Sequence, residues 1–297
     1  MWFKAALVFA GLMGFAYLGY PLIAFMLSRL VRRPVMKGCC QPAITVLLPV
    51  YNEGDRLTDK VHNLLAQSYP AARAQIVVVD DGSNDGSVER LQAEHIRGVS
   101  VVRLAERSGK AGALNAGMQK ATGEVIVFTD ARQDLADRAL PALLSNFADA
   151  RVSAVTGRIL PAGRGADSLF RRYEEALRGW EASWGSCTGA TGALYAVRRG
   201  ALAAIPSDSI LDDLLISLSA ARHGRLVYEK NAVAVEYPQG SKRIWARRLR
   251  TLAGNWQMLL HPRRFKAALM FGVSFGAVTG TAVALSWSGF PSYHSDW

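Results

Sequence analysis

QIVVVDDGSNDG, residues 75–86, is the stretch of sequence that decides the fold. Four consecutive β-branched residues follow its glutamine, which predicts a strand buried on both faces. The strand delivers Asp80 and Asp81 to its carboxyl end, where ligands bind in open α/β sheets. The glycine, serine and asparagine that come next are typical of a turn.

Two other segments repeat this design. Residues 44–48 lead into PVYNE at 49–53, and residues 124–129 end at Asp130. Apolar residues at helical spacing in 56–67 separate the first two strands and predict a right-handed β-α-β unit. The three polar clusters predict one site for a nucleotide and a metal. Alternation of strands and helices predicts an α/β fold with a mostly parallel, Rossmann-like sheet flanked by helices. Other strands are predicted at residues 99–103, 152–157, 192–197, 226–228 and 232–237, and other helices at 87–94, 111–121, 137–148, 167–182 and 212–223.

The composition points to a membrane. Half of the 297 residues are hydrophobic, and the mean hydropathy is +0.10. Two uncharged runs, residues 5–27 and 267–290, are each long enough to span a bilayer. Basic residues flank both runs on the side that faces the middle of the chain, so we expect the segment between them in the cytosol. A cleaved signal peptide is the alternative for the first run, but that run is too long and its basic flank follows it.

The predicted organisation therefore has four parts. They are an N-terminal transmembrane anchor at residues 1–28, a cytosolic domain at 42–240, an amphipathic interfacial helix at 241–264 and a transmembrane helix at 267–290. We expect a multi-pass protein of the cell inner membrane. The net charge of +11 favours anionic lipid and anionic substrates, and no motif indicates nucleic-acid binding.

Six motifs, in the order found here, resemble the signatures of family 2 glycosyltransferases. They are PVYNE (49–53), VDDGS (79–83), GKAGALN (109–115), TDA (129–131), TGATGA (188–193) and LDDL (211–214). The resemblance runs from about residue 44 to residue 257. It implies a GT-A fold, a nucleotide-sugar donor, Mg²⁺ or Mn²⁺ as cofactor, and inversion at the anomeric carbon.

The resemblance places Asp81 against the nucleoside, with Pro49, Tyr51 and Glu53 in the first loop around the nucleotide. The chemistry of the residue agrees, because an aspartate at a strand's end can accept hydrogen bonds from a uracil imide or a ribose hydroxyl. We expect a UDP-sugar donor. The alternative is that Asp80 and Asp81 only cap the helix that follows.

The resemblance implies three other donor contacts, at Lys110, Asn115 and Arg250. Lys110 would lie near the donor phosphates, where a point charge is useful, and a solvated loop lysine is the alternative. Processive members carry Gln-X-X-Arg-Trp, of which Arg250 is kept here while Arg247 and Thr251 replace the glutamine and tryptophan. Because tryptophan stacks on a sugar ring, its replacement predicts a non-processive or weakly processive enzyme.

The predicted metal site departs from the family pattern. Asp130 matches the first aspartate of the Asp-X-Asp motif, but the third position is Arg132. Mg²⁺ usually takes one or two carboxylates from protein, so we expect Asp130 to hold the metal alone or with Asp134 or water. Two alternatives remain: Arg132 itself contacts a phosphate, or Asp130 only starts a turn.

The predicted catalytic base is Asp213. It matches the second member of the family's acidic pair at a helix start. Direct displacement with inversion needs a base on the acceptor hydroxyl, and a closed site would raise the pKa of that carboxyl group. The alternative is a charge that favours the helix macrodipole, for which Asp212 is the better candidate.

Together these observations predict a membrane-bound inverting glycosyltransferase that acts on a polysaccharide or lipid-linked acceptor, with polysaccharide export proteins as candidate partners. Two alternatives stay open. Arg132 and the replaced glutamine and tryptophan favour a catalytically degenerate GT-A partner subunit of a synthase complex. A nucleotidyltransferase would need a glycine-rich basic loop after the first strand, and residues 50–55 do not provide one.

Overall fold

The computed structural model describes residues 2–162, 169–237 and 241–260. In these residues eight strands form one sheet, with helices against both of its faces. The strands are β1 (Ile44–Val50), β2 (Ala74–Asp80), β3 (Val99–Arg103), β4 (Val125–Thr129), β5 (Gln133–Leu135), β6 (Val152–Pro161), β7 (Leu194–Arg198) and β8 (Arg225–Glu236). The α-helices are α1 (Trp2–Gly14), α2 (Tyr20–Leu30), α3 (Arg56–Leu65), α4 (Ser87–Ala93), α5 (Gly109–Lys120), α6 (Ala139–Leu144), α7 (Leu169–Trp184), α8 (Asp212–Ala221) and α9 (Ser241–Leu260).

The strand order is β3-β2-β1-β4-β7-β6-β8-β5. The first four strands in this order are parallel, as predicted, and β7 runs antiparallel to β4. Since β7 is reversed, the loop that enters it lies at the same sheet edge as the loops that leave β1, β2 and β4. This edge holds the site described below.

The central strands are buried on both faces because alternate side chains pack on different helices. Val78 and Val127 share a core with Leu57 of α3. Val77 and Phe128, each one position away, share the other core with α5 and α8. Burying an aliphatic side chain of this size contributes about 1.5–3 kcal/mol, which explains the predicted runs of β-branched residues.

Helix α2 packs against α7. The backbone continues from α1 to α2 through one π-helical segment, Phe15–Gly19. On α2, Pro21, Ala24 and Ser28 are buried, and the Phe25 ring meets the edge of Trp180 on α7 at 5.3 Å between centroids. The second half of the apolar run therefore has a packing partner within the chain.

Across residues 2–162, 169–237 and 241–260, no helix is both long enough and apolar enough to cross a membrane. The run at 267–290, predicted to be transmembrane, lies outside the described residues, as does the 261–264 end of the predicted interfacial helix.

Three predictions of secondary structure differ from what is observed. The helix expected at 137–148 is shorter, because α6 ends at Leu144 and a 3₁₀ turn follows. The strands expected at 226–228 and 232–237 are one strand, β8, which keeps pairing with β6 through a register shift. The three-residue β5 was not predicted, because it is too short to show a pattern and is defined by its pairing with β8.

Candidate active site

A cavity of about 440 Å³ opens at the sheet edge where β1, β2 and β4 end. Gly109 and Lys110, the first residues of α5, line this cavity, as does Arg250 of α9. Its lining includes seven residues that the sequence singled out, namely Pro49, Tyr51, Glu53, Asp81, Lys110, Asp130 and Arg250. The structure therefore brings most of the predicted donor-binding residues together.

Asp81, which lines the cavity, is held by the backbone at the start of α5. Its carboxylate accepts hydrogen bonds from the backbone N–H groups of Ser108 (2.7 Å) and Gly109 (3.0 Å). Gly109 has a φ of +74°, which a residue with a side chain would adopt only with strain. The glycine thus allows the backbone to turn its N–H toward Asp81 as α5 begins.

The neighbouring Asp80 has a different role. It is fully buried, accepts a hydrogen bond from the Ser83 N–H at 2.8 Å and pairs with Arg103 at 3.0 Å. Of the two adjacent aspartates, Asp80 stabilises the turn and the sheet edge, whereas Asp81 faces the cavity.

Two arginines that contact the first loop also line the cavity. The Arg107 guanidinium lies 4.0 Å from the centre of the Tyr51 ring, a cation–π contact. The Arg132 guanidinium donates to both carboxylate oxygens of Glu53, at 3.2 and 3.3 Å. Arg132 therefore neutralises Glu53, which leaves Asp130 as the acidic member of its motif.

Lys110, at the start of α5, contacts acidic residues from two other motifs. Its Nζ atom lies 2.9 Å from Asp130 Oδ1 and 3.4 Å from Asp212 Oδ2. Burial alone would lower the pKa of this ammonium group. The charges of Asp130, Asp212 and Asp213 outweigh burial and raise that pKa above its usual value. Lys110 therefore stays protonated and holds the carboxylates together.

Asp213 is the second acidic residue at the start of α8. Burial and then the charge of Asp212 raise its pKa to about 6, although Lys110 opposes the rise. Its Oδ1 accepts the Leu214 N–H at 2.8 Å, and a Cβ placed on Gly192 would lie 3.1 Å from its Oδ2. Asp213, rather than Asp212, makes the contact with the helix N-terminus, and a glycine leaves room beside its second oxygen.

The segment 188–193 forms a second wall beside Asp213. The Ala190 N–H donates to the Ser217 hydroxyl oxygen at 2.9 Å, and that hydroxyl donates to the Asp213 carbonyl oxygen at 2.6 Å. On its other side, the Thr191 N–H donates to Thr156 Oγ1 at 2.9 Å. The wall is thus fixed to both α8 and β6.

Beneath the cluster lies a buried tyrosine, Tyr195, whose ring stacks on Phe128 at 4.6 Å between centroids. Burial raises the pKa of its hydroxyl well above the ordinary value, and the charges of Asp212, Asp213 and Asp130 raise it further. Among the described residues, this hydroxyl has no hydrogen-bond partner. One buried polar atom below the site thus remains available to a bound molecule or water.

The family model described as "Glycosyl transferase family 2" matches residues 45–203, more than half of the chain. The chain is a family 2 glycosyltransferase. Every element that carries the site, apart from α8 and α9, falls within the matched range. The predicted family and enzyme class are confirmed.

Curated relatives of this family 2 glycosyltransferase include polysaccharide synthases. Poly-beta-1,6-N-acetyl-D-glucosamine synthase of Staphylococcus aureus is 27% identical over 232 residues, which cover 73% of this chain and 55% of that protein. N-acetylgalactosaminyltransferase 6 of Drosophila melanogaster is 37% identical over 148 residues, 47% of this chain and 22% of its own length. The chain therefore spans about half of the synthase and less of the second relative.

Solved structures establish the fold. The mannosyltransferase PcManGT from Pyrobaculum calidifontis, in complex with GDP-Man and Mn²⁺, matches with a TM-score of 0.71 and 26% identity, over 96% of this chain and 86% of its own. S. aureus TarS 1–349 in complex with UDP-GlcNAc, at 17% identity and a TM-score of 0.54, covers 77% of this chain and 71% of its own. The second likeness concerns the fold alone. The predicted GT-A architecture is confirmed.

The residues present offer a divalent cation one carboxylate. Within the described ranges, no group of three or more His, Cys, Asp or Glu side chains could hold a metal ion. Asp130 is partly exposed to the cavity, and a cation bound with a diphosphate needs one or two protein carboxylates. The donor set therefore fits an ion that shares its coordination with substrate oxygens.

Two predicted site residues lie elsewhere. Asn115 donates to the Ile205 carbonyl oxygen at 2.7 Å and accepts its N–H at 2.9 Å, so this amide fixes a loop rather than a nucleotide-sugar. The physical reason is that Asn115 is five residues from Lys110, roughly 140° around the helix. Asp134 lies on β5 and accepts a hydrogen bond from the Tyr237 hydroxyl, away from the cavity lining, so it is not placed to complete a metal site.

Sequence reasoning missed Arg107 and Tyr195. Arg107 precedes the GKAGALN motif by two residues, and a basic residue so close to a helix N-terminus was an available signal. Tyr195 had no such signal, because it resembles any aromatic residue of a buried strand. The ring of Trp180, a candidate for stacking on a sugar, packs against Phe25 of α2.

Proposed function

We propose that this family 2 glycosyltransferase moves a sugar from a nucleotide-sugar to a glycan or lipid-linked acceptor, with inversion at the anomeric carbon. One observation carries the proposal. Lys110, Asp130 and Asp213 come from three separate motifs and meet in one charge cluster, and Lys110 and Asp130 line the same cavity as Asp81. No structural need of the sheet explains that convergence.

The cavity fits the charge of the donor. Four cationic side chains line it, on Arg107, Lys110, Arg132 and Arg250, against the carboxylates of Glu53, Asp81 and Asp130. This positive excess favours a nucleoside diphosphate, which carries the opposite charge. Asp81 and the Tyr51 ring at the inner end would receive the nucleoside. Mg²⁺ or Mn²⁺ bound at Asp130 would neutralise the departing diphosphate, a use that the Mn²⁺ in the mannosyltransferase structure supports.

Asp213 is the proposed general base. Its carboxylate removes the proton from the acceptor hydroxyl, the hydroxyl oxygen forms a bond to the anomeric carbon, and the bond from that carbon to the diphosphate oxygen breaks. A pKa of about 6 leaves Asp213 ionised at neutral pH yet more basic than an ordinary carboxylate. Lys110 stays charged throughout and stabilises the leaving diphosphate beside Asp130.

The relatives support a UDP-linked N-acetylhexosamine as donor. The synthase and the transferase reported above are both named for N-acetylated sugars. GDP-mannose is the second candidate, since the solved mannosyltransferase contains it. The name of the synthase favours a growing polysaccharide as the acceptor. We expect weakly processive or non-processive extension, because Arg250 alone remains of the processive motif.

We further propose that the protein is anchored in the inner membrane with its catalytic domain in the cytosol. Exposed apolar side chains on the N-terminal helices support this, including Leu18, Leu22 and Leu30. Trp245 and Trp256 of α9 are also exposed, as expected of a helix on a lipid surface.

The test is nucleotide release from UDP-N-acetylglucosamine, UDP-N-acetylgalactosamine, UDP-glucose and GDP-mannose by the purified full chain. At least one donor should be hydrolysed slowly alone and faster with acceptor oligosaccharides, and excess chelator should suppress both. Asp213→Asn is the matched control, which should bind the donor normally without transfer. Absence of release from every donor in Mg²⁺ and Mn²⁺ would instead favour a degenerate partner subunit.

A further inference from the structure

Glu181 of α7 is a buried carboxylate outside the donor cavity. It is 1% exposed, and burial raises its pKa. Its Oε1 accepts a hydrogen bond from the Tyr20 hydroxyl, with 2.5 Å between the two oxygen atoms. Its Oε2 accepts the N–H and the hydroxyl of Thr188, at 3.1 and 3.3 Å. Burying a carboxylate is costly unless such donors surround it, and an apolar residue would fill the same space without that cost.

The two partners of Glu181 belong to separate parts of the molecule. Tyr20 starts α2, in the N-terminal helical pair. Thr188 starts the segment 188–193, whose Ala190 is bonded to α8 through Ser217. A third residue of that segment, Gly192, lies against Asp213. One side chain therefore connects the N-terminal helix to the wall beside the proposed base.

Other contacts hold α2 in the position that this bridge requires. Beyond the end of α2, the Arg33 N–H donates to the Ser183 carbonyl oxygen at 2.8 Å, and Phe25 packs on Trp180. On the α7 side, Arg178 donates to the Gly189 carbonyl oxygen at 3.1 Å. Helix α7 is thus fixed to α2 on one side and to the segment 188–193 on the other.

We propose that Glu181 is a positioning residue, through which the docked N-terminal helix sets the acceptor wall of the active site. The proposal rests on the proposed function, which makes Asp213 the base for the acceptor hydroxyl, and the segment 188–193 lies beside Asp213 through Gly192. The N-terminal helix is then part of the acceptor site as well as an anchor. Loss of its contact should weaken acceptor binding and leave the donor cavity unchanged.

The first test needs no substrate, so its outcome is independent of the proposed function. Tyr20→Phe removes one hydroxyl, and backbone hydrogen exchange is measured on the full-length protein. We expect faster exchange at residues 188–192 and unchanged exchange in β4. Tyr173→Phe is the matched control, because its hydroxyl also joins α7 to the N-terminal helices, through the Tyr17 carbonyl oxygen at 3.2 Å, but does not reach this segment. Equal effects of both variants, or none at Tyr20→Phe, would overturn the proposal.

The second test separates acceptor from donor. With UDP-N-acetylglucosamine and a pentamer of β-1,6-linked N-acetylglucosamine, Tyr20→Phe should raise the KM for the pentamer by about 2- to 30-fold. Its rate of donor hydrolysis without acceptor should stay at the wild-type value. A proportional loss of both activities would show a general structural defect and refute the positioning role.

A third comparison asks whether Tyr20 acts through Glu181. The double variant Tyr20→Phe/Glu181→Gln should have the same KM for the pentamer as Glu181→Gln alone, because the two residues form one path. Additive effects would show two independent roles and overturn the proposal. If the Tyr20→Phe protein does not fold, Glu181→Gln replaces it in the hydrogen-exchange measurement. Exchange at 188–192 equal to that of the wild-type protein would then overturn the proposal.

Discussion

Replacing Asp213 with asparagine should remove activity and stabilise the protein. The side chain keeps its shape, but it can no longer accept the proton of the acceptor hydroxyl. Loss of a general base lowers turnover by on the order of 10²–10⁴. Donor affinity should change little, because Asp213 is not among the residues that line the donor cavity.

The gain in stability follows from the pKa of Asp213, which rises from 3.8 to about 6 in the folded protein. A carboxyl whose pKa is raised on folding destabilises the fold wherever it is ionised. Two pKa units correspond to at most about 3 kcal/mol, and solvent screening reduces this. At that limit the melting temperature of the Asp213→Asn protein would exceed the wild-type value by roughly 6–12 °C.

The sign and the pH range make this prediction sharp. The destabilisation caused by ionised Asp213 is fully present above about pH 6 and disappears as the pH falls toward 3.8. The difference in melting temperature should therefore be large at pH 7.5 and small at pH 4, measured by thermal unfolding alongside turnover. Near-normal turnover would refute the role of base, and a lower melting temperature at pH 7.5 would refute the electrostatic account.

Three other predictions concern the metal, the donor and the membrane. Excess chelator should abolish activity, and added Mn²⁺ should restore it in the wild-type protein but not in Asp130→Asn. Arg132→Asp should still bind the metal. Full activity in chelator, or loss of Mn²⁺ binding in Arg132→Asp, would contradict the assignment of the metal to Asp130. Arg107→Ala should raise the KM for the donor by roughly 2- to 10-fold, because the charge and the cation–π contact of Arg107 are lost. An unchanged KM in a donor titration would show that Arg107 does not contact the donor. Single cysteines at the exposed positions Gln92 and Ser207, with the native three removed, should react with an impermeant thiol reagent only after lysis. Labelling of both in intact cells would place the domain outside.

The parts of the site that could be predicted depend on one segment each. Asp81 follows a strand of buried β-branched residues, and Asp130 follows another, so the end of each strand was enough to place them. Lys110 was predicted from a motif at the start of a helix. For these residues local sequence and the rule that parallel strands end at one edge determine the position.

The parts that could not be predicted depend on contacts between segments. The ion pair of Arg132 with Glu53 joins residues 79 positions apart, and neither residue type reveals its partner. The bridge from Tyr20 to Glu181 spans 161 positions. Asp212 and Asp213 are adjacent in sequence, yet roughly 100° of helical rotation directs one toward Lys110 and the other toward Gly192.

The reversed strand β7 has a consequence for how such enzymes diversify. Because it enters the sheet from the edge where β1, β2 and β4 leave it, the loop before β7 joins a site that is otherwise built from distant parts of the chain. Residues 49–132 and Arg250 line the donor cavity, whereas the wall beside Asp213 comes from 188–193. Under the proposed roles, mutations in 188–193 would change the preferred acceptor, while residues 49–132 would continue to recognise the same activated sugar.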